Sequence, residues 1–316
     1  MNATVQGIKE QFRYWRQAEH PQVQLERDQV QVVVGCGTSL YIAQMIASAL
    51  NDAGYQALAV PGSEWTLRPR DHLGSGTPHV IAVSRSGEST EIVQAAARSR
   101  RDGLFVTAIT CQEDSALAHN ADRVLACTTH PAEGIVMTAS ASLMLLTGLR
   151  LAGVTVGESD IQAAEALLQE SRETLEAAIL GRDHFVFLAG GLLHGLAQEG
   201  ALKLQEMSLS YTQAYYPMEY RHGPMSLVDH KTLIVMLYHP DTATQEQMVA
   251  SDMQALGAQI LGIGGPGDVE LKVDGPASRR ALLALPCLQL LGELVAVSKG
   301  LDSLAPRHLN KVVTLA

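Results

Sequence analysis

Residues 79–103 read HVIAVSRSGESTEIVQAAARSRRDG. A short, unbroken apolar run stops at Ser84. Ser84, Ser86, Ser89 and Thr90 then crowd around Gly87, and a helical run follows to Gly103, a natural helix stop. The reading is strand, small-residue turn, helix. The same order recurs along the chain. QVVVGCGTS (31–39) precedes a helical run over 40–51, and LFVTAIT (104–110) precedes a short helix near 114–119 and then RVLACT (123–128). HFVFLAGG (184–191) precedes a helix over about 192–209, TLIVMLYH (232–239) precedes TQEQMVASDMQALG and QILGIGG (259–265), and a last helix is expected over about 287–299. Strands alternating with helices predict parallel sheets covered on both faces, where strands read as continuous Val, Ile and Leu runs. The amphipathic run 151–180 separates two such halves. Each half opens with a strand, a glycine pair (Gly35 and Gly37, or Gly190 and Gly191) and a helix, which points to an internal duplication.

The bulk numbers narrow the function. A length of 316 residues suits one large domain or two ordinary ones. Hydrophobic residues are 47% and aromatic ones 4%, so the core is aliphatic; 18% charged residues imply much surface buried between elements or subunits. The net charge is −10, from 33 acidic and 23 basic residues, with no basic block, so no nucleic-acid partner is expected. An anionic ligand would have to be held by local dipoles and hydroxyls rather than by the global field. The N-terminus lacks the apolar core of a signal peptide. The apolar stretches 135–153 and 281–297 are interrupted by Arg150, and by Pro286 and Glu293, so no membrane span is expected and a cytoplasmic location is. Cys36, Cys111, Cys127 and Cys287 form no CxxC and no metal-like spacing with histidine; they read as buried free thiols, with no metal site.

The turns exclude two nucleotide motifs. GCGTSL puts Leu40 where GxGxxG requires a third glycine, and GxxxxGK[ST] occurs nowhere. No cofactor is expected. In a parallel sheet, loops at the carboxyl ends of the strands face one crevice, where helix N-termini offer unpaired N–H groups. Ser39, Ser84, Ser86, Ser89 and Thr90 would add hydroxyl donors, and Gly37 and Gly87 would let the backbone approach. This describes a site for one phosphate held by neutral donors. The same hydroxyls also suit ordinary helix N-caps.

In HGLAQEGALKLQEMSLSY, Glu199, Lys203 and Glu206 fall at i, i+4 and i+7 and share a helix face. Their apolar flanks suggest burial beside a cavity; a solvated stripe is the alternative. His222 sits in a turn before Gly223–Pro224, beside Arg221 and near Glu219, and loops carry function disproportionately. Lys311, near the C-terminus, reads on its own as a surface lysine.

Together these stretches resemble the SIS (sugar isomerase) domain family, in particular the isomerase half of the glutamine–fructose-6-phosphate amidotransferases. The motifs are CGTS (36–39), SRSGES (84–89), EGALKLQEMS (199–208), EYRHGP (219–224) and PRHLNKVVTL (306–315), and the resemblance runs from about Val30 to the last residue. It implies an α/β fold of two tandem SIS subdomains, each a flavodoxin-like parallel sheet sandwiched by helices. The expected layout is a helical lead over 1–25, one subdomain over 26–165 and a second over 166–316 that ends in an active-site tail. It implies a hexose or hexosamine 6-phosphate ligand, with Ser39, Ser84, Ser86 and Ser89 on the phosphate and Thr38, Gly37 and the segment near Val136 beside the sugar. Arg85 stands where the family usually has glutamine, either adding charge to that site or turning away. Glu206 matches the base that moves a proton between C1 and C2, with Glu199 and Lys203 its neighbours. His222 matches the ring-opening residue, which in this family reaches in from the partner subunit, so a homodimer is implied. Lys311 matches the tail lysine that can form an imine with the ketose carbonyl.

The chemistry is coherent: one base shuttles a proton through an enediol, and an amine can activate the carbonyl. Two departures stand out. Residue 2 is Asn, where the amidotransferase glutaminase has its cysteine, so no glutamine-derived ammonia is expected from this chain. EGIVMTAS (133–140) resembles the family's EIGVASTK, with Ser140 replacing its lysine. The expectation is an amino-sugar phosphate isomerase/deaminase, turning a substrate such as glucosamine 6-phosphate into a ketose 6-phosphate and ammonia. The alternatives are another phosphosugar aldose–ketose isomerase, a fructosamine-6-phosphate deglycase, or a non-catalytic phosphosugar sensor.

Overall fold

The computed structural model describes residues 2–72 and 76–315, except the Arg70 side chain. The chain divides into two compact units: one of residues 10–156 with 310–316, the other of the first nine residues with 157–309. Helix α1 (Ala3–Gln17) contributes to both.

In the first unit the chain runs β1 (Val30–Gly35), α2 (Thr38–Asp52), β2 (Gln56–Pro61), α3 (Gly62–Leu67), β3 (Pro78–Ser84), α4 (Thr90–Arg101), β4 (Phe105–Thr110), α5 (Ala116–His119), β5 (Arg123–Ala126) and α6 (Ala139–Leu151). The sheet order is β2-β1-β3-β4-β5, all parallel. Every residue of the central strand β3 is buried, as its apolar run requires. On one face Val32, Val34, Val80 and Ala82 pack against Ile92, Ala95 and Ala96 of α4. Helix α4 carries Glu91 in its first turn and Arg98, Arg100 and Arg101 in its last, complementing the helix dipole. It stops at Gly103, whose φ of 76° suits glycine. The Trp15 indole donates to the Ser142 hydroxyl at 2.8 Å, tying the end of α1 to α6.

The second unit repeats the plan: α7 (Glu158–Ile179), β6 (His184–Ala189), α8 (Leu193–Ser208), β7 (Thr212–Tyr215), α9 (Pro217–Tyr220), β8 (Thr232–Leu237), α10 (Ala243–Ala255), β9 (Gln259–Ile263), β10 (Val269–Leu271) and α11 (Ala277–Ser298). Its order is β7-β6-β8-β9-β10, again all parallel. Counted within each unit, both sheets have the flavodoxin-like order 2-1-3-4-5. The internal duplication is thus present in the strand order.

The last helix begins at Ala277, ten residues before the start expected from the sequence, and runs through Pro286. A helix-interior proline usually marks a break; here Pro286 and its apolar neighbours are buried, and that burial outweighs the lost hydrogen bond. Helix α11 is long and apolar enough by composition to cross a membrane, but it is packed inside its own unit.

Each sheet has a point where successive connections leave in opposite directions. In the first it lies between β1 and β3, in the second between β6 and β8. Ligands of open α/β sheets bind outside the carboxyl ends of the strands at such points.

Candidate functional site

CGTS and SRSGES follow β1 and β3, so both turns lie at the first unit's switch point. The first turn is set by Gly37 at φ 56°, directly before α2. Thr38 and Ser39 open that helix and are buried. In the second turn the hydroxyls build the loop. Ser84 Oγ accepts the Gly87 N–H at 3.1 Å, and Ser86 Oγ accepts the Glu88 N–H at 3.3 Å. A hydroxyl that accepts in this way still has its own proton to donate. Gly87 has φ 65°, and a Cβ there would lie 2.1 Å from Ser115 Oγ, so this position needs glycine on both counts. The N-cap reading of the serines does not describe the structure: Gly37 caps α2, and Ser89, at the N-cap of α4, makes no side-chain capping bond.

Arg85 turns away from the SRSGES backbone into the loop before α6. It is buried, and its guanidinium donates to the carbonyls of Gly134 (2.9 Å), Ile135 (3.2 Å) and Lys311 (3.0 Å). The Glu133 carboxylate lies 3.9 Å away. Glu133 itself organises the start of α6, accepting the N–H and hydroxyl of Thr138 at 2.7 and 3.0 Å and the N–H of Ser140 at 3.0 Å. Val136 is buried in this loop, and the buried Ser140 hydroxyl has no partner. The tail packs on the same unit: the Lys311 ammonium donates to the Glu133 carbonyl at 2.9 Å, and the Thr90 N–H to the Val313 carbonyl at 3.2 Å. Glu133 was not singled out by sequence reasoning. A lone acid in a loop gives no signal until the helix it caps is known.

In the second unit, α8 carries Glu199, Lys203 and Glu206. Glu199 and Lys203 are fully buried and the Glu206 side chain is 20% exposed, so the solvated-stripe alternative does not hold. The Lys203 ammonium lies 3.5 Å from Glu199 Oε1 and 2.5 Å from Glu206 Oε2. Burial pulls its pKa down, but the two carboxylates outweigh that and hold it above its ordinary value. It therefore stays charged and fixes the orientation of both acids. His222 is exposed in the turn after α9, where its N–H donates to the Glu219 carbonyl at 3.0 Å.

Burial pushes the Cys36 and Cys127 thiols up to about 11, that of Cys287 up to about 12, and that of Cys111 upward as well. None is a ready nucleophile at neutral pH. Among the described residues no group of three or more His, Cys, Asp or Glu side chains could hold a metal ion.

Two flavodoxin-like halves, the first with a hydroxyl-rich turn pair at its switch point and the second with a buried carboxylate–lysine cluster on a helix, define the class: a tandem, doubly wound α/β protein. The SIS domain family model matches residues 27–152 and 178–272. The chain is 27% identical over 296 residues to the glutamine–fructose-6-phosphate aminotransferase (isomerizing) of Sulfurisphaera tokodaii, covering 90% of this chain and 50% of that protein. It spans about half the length of the curated relatives it matches. Among solved structures, glucosamine-6-phosphate deaminase from Thermotoga maritima superposes with a TM-score of 0.85 at 27% identity, over 99% of this chain and 100% of that one. Tagatose-6-phosphate ketose/aldose isomerase from Escherichia coli gives 0.83 at 24% identity, over 96% and 95%, a likeness of fold. The chain belongs to the SIS domain family.

Proposed function

We propose that this chain is a cytoplasmic, homodimeric amino-sugar phosphate isomerase/deaminase, acting on an aldose amine 6-phosphate such as glucosamine 6-phosphate. The observation that carries the reading is α8, a buried helix on which a charged lysine orients two acids and only Glu206 keeps access to solvent. A base that must meet substrate needs that access, and one that must return a proton to a defined carbon needs a fixed orientation. The match along the full length of both chains with the Thermotoga maritima deaminase supports this substrate class.

In this reading Ser39, Ser84, Ser86 and Ser89 hold the phosphate, with Thr38, Gly37 and Val136 beside the sugar. The phosphate grip supplies binding energy remote from the reacting carbons. His222 opens the ring; its exposure within its own chain suits a residue that serves the partner's site. Glu206 takes the C2 proton and returns it at C1. The C2–N pair becomes an imine, and water replaces the nitrogen, releasing ammonia and a ketose 6-phosphate. Lys311 is assigned to C2, the ketose carbonyl carbon: its neutral amine can take the place of ammonia in that imine, and water then releases the lysine and leaves the carbonyl.

The test is ammonia release on mixing the protein with glucosamine 6-phosphate, run beside a panel of hexosamine, fructosamine and simple hexose 6-phosphates. Stoichiometric ammonia and ketose 6-phosphate are expected. Glu206→Gln should lose at least about 10²-fold in kcat, the scale of general-base catalysis, while binding the substrate as before. Aldose–ketose exchange without ammonia would replace the deaminase reading by a simple isomerase. Binding without turnover of any panel member would replace both by a sensor.

A further inference from the structure

The tail is fastened at three points, two at Thr90, the first residue of α4, and one at Arg85 in the turn after β3. The Thr90 N–H donates to the Val313 carbonyl at 3.2 Å, the Leu315 N–H to Thr90 Oγ1 at 3.1 Å, and Arg85 Nη2 to the Lys311 carbonyl at 3.0 Å. The same guanidinium holds the Gly134 and Ile135 carbonyls at 2.9 and 3.2 Å. A buried guanidinium must find acceptors for its donors, and here they are main-chain carbonyls from two segments far apart in sequence. A planar fork with five donors can serve three carbonyls at once; a lysine ammonium, a point charge on a flexible stem, cannot hold them in one geometry. Arg85 grips the backbone of Lys311, not its amine. The amine rests instead on the Glu133 carbonyl at 2.9 Å. With the backbone pinned, only the four-carbon stem of Lys311 has to move for its nitrogen to leave that carbonyl.

We propose that Arg85 is a positioning residue for Lys311: it clamps the tail to the 133–135 loop so that the amine works from a fixed root. The reaction so served is the isomerase/deaminase activity proposed above, and the inference rests on that reading. Arg85 thereby makes tail docking, rather than phosphate charge, the use of this position. Glu133 completes the clamp, its carboxylate close to the guanidinium and its carbonyl under the Lys311 amine.

The experiment compares Arg85→Gln, Arg85→Lys, Lys311→Met and the Arg85→Gln/Lys311→Met double variant of the full chain. The readouts are amide exchange at Thr90 and Leu315, and kcat and KM for ammonia release from glucosamine 6-phosphate. Arg85→Gln should speed exchange at both amides about tenfold or more and lower kcat about 10–100-fold, with KM changed less than about threefold. Arg85→Lys should fall between it and the parent, which keeps the test alive if the glutamine variant does not fold. In the Lys311→Met background the glutamine change should cost less than about twofold further, because the two residues act as one unit. Unchanged exchange overturns the proposal. So does a raised KM with kcat intact, which would assign Arg85 to the phosphate, or full additivity with Lys311→Met. If the parent releases no ammonia from any hexosamine phosphate, the functional reading fails on its own, and the exchange data still decide whether Arg85 holds the tail.

Discussion

Lys203 has no exposed surface, and its ammonium lies 3.5 Å from the Glu199 carboxylate and 2.5 Å from that of Glu206. Removing one member of a buried ion cluster leaves the rest desolvated and uncompensated, which typically costs about 3–5 kcal/mol. Lys203→Met is therefore expected to lower the unfolding free energy by about that amount, since its apolar stem fits while its charge is gone. Adding Glu199→Gln removes the fully buried acid and should recover part of the loss, about 1–2 kcal/mol, the desolvation scale of one buried polar group. Urea titrations of the two variants check this. A single-variant loss under about 1 kcal/mol would mean that water reaches the cluster and that α8 does not hold Glu206 by charge. The sequence supplied the spacing of these three residues but not their roles, because the same i, i+4, i+7 pattern serves a solvated helix face equally well. Burial separates the two readings, and burial depends on α11, which packs along α8.

Among the elements, the central strands of the first sheet are joined by side chains as well as by their ladder. His79 on β3 bonds Gln31 on β1 at 2.8 Å and Thr107 on β4 at 2.9 Å, and it is buried. Burial, aided by the nearby Arg123 charge, lowers its pKa to about 4 from an ordinary 6.5. The folded state thus resists the proton that the unfolded chain accepts. The stability due to neutral His79 is full above the unfolded value and is lost as pH falls from about 6.5 toward 4. At pH 4.5 the loss relative to pH 7 should be about 2 kcal/mol. His79→Gln has no such titration, so the parent's advantage over that variant should shrink by about this amount between pH 7 and 4.5 in urea melts. A pH-independent difference would show that His79 takes up its proton without leaving the fold. The buried strands were legible because they are continuous apolar runs. Of the edge strands, β5 was read as RVLACT, but β2, β7 and β10 were not: β7 and β10 are four and three residues long, and β2 is mostly half-buried or exposed. Helix α6 was hidden for the opposite reason. It is buried on nearly every side and shows no amphipathic period.

Across the whole molecule, the duplication raises the question of how many anions one chain holds. The second sheet has its own switch point, formed by the Gly190–Gly191 turn after β6 and the His239–Thr242 turn after β8. No serine cluster lies there. The buried Glu246 of α10 sends its carboxylate back into the turn instead, accepting the His239 N–H at 2.7 Å and the Thr242 hydroxyl at 2.9 Å. Burial pushes its pKa above the ordinary carboxylate value, while those bonds and the nearby Arg280 pull it down. These are donors that an anion would use in the first unit, and here a resident side chain has taken them. Glu246 was not legible in TQEQ, where it reads as one more helix-surface acid; the serine turns stood out because two of them follow strands, each around a glycine, although such hydroxyls also suit helix N-caps. A phosphate entering the second switch point would meet a carboxylate already holding the donors, and like charges at hydrogen-bond distance repel. One glucosamine 6-phosphate per chain is therefore expected when the Glu206→Gln variant, which keeps the ligand intact, is titrated by calorimetry. Adding Ser84→Ala and Ser86→Ala should remove that single binding event and leave no weaker second one. Two equivalents per chain, or binding that survives the serine changes, would move the anion to the second sheet and strip the SRSGES turn of the phosphate.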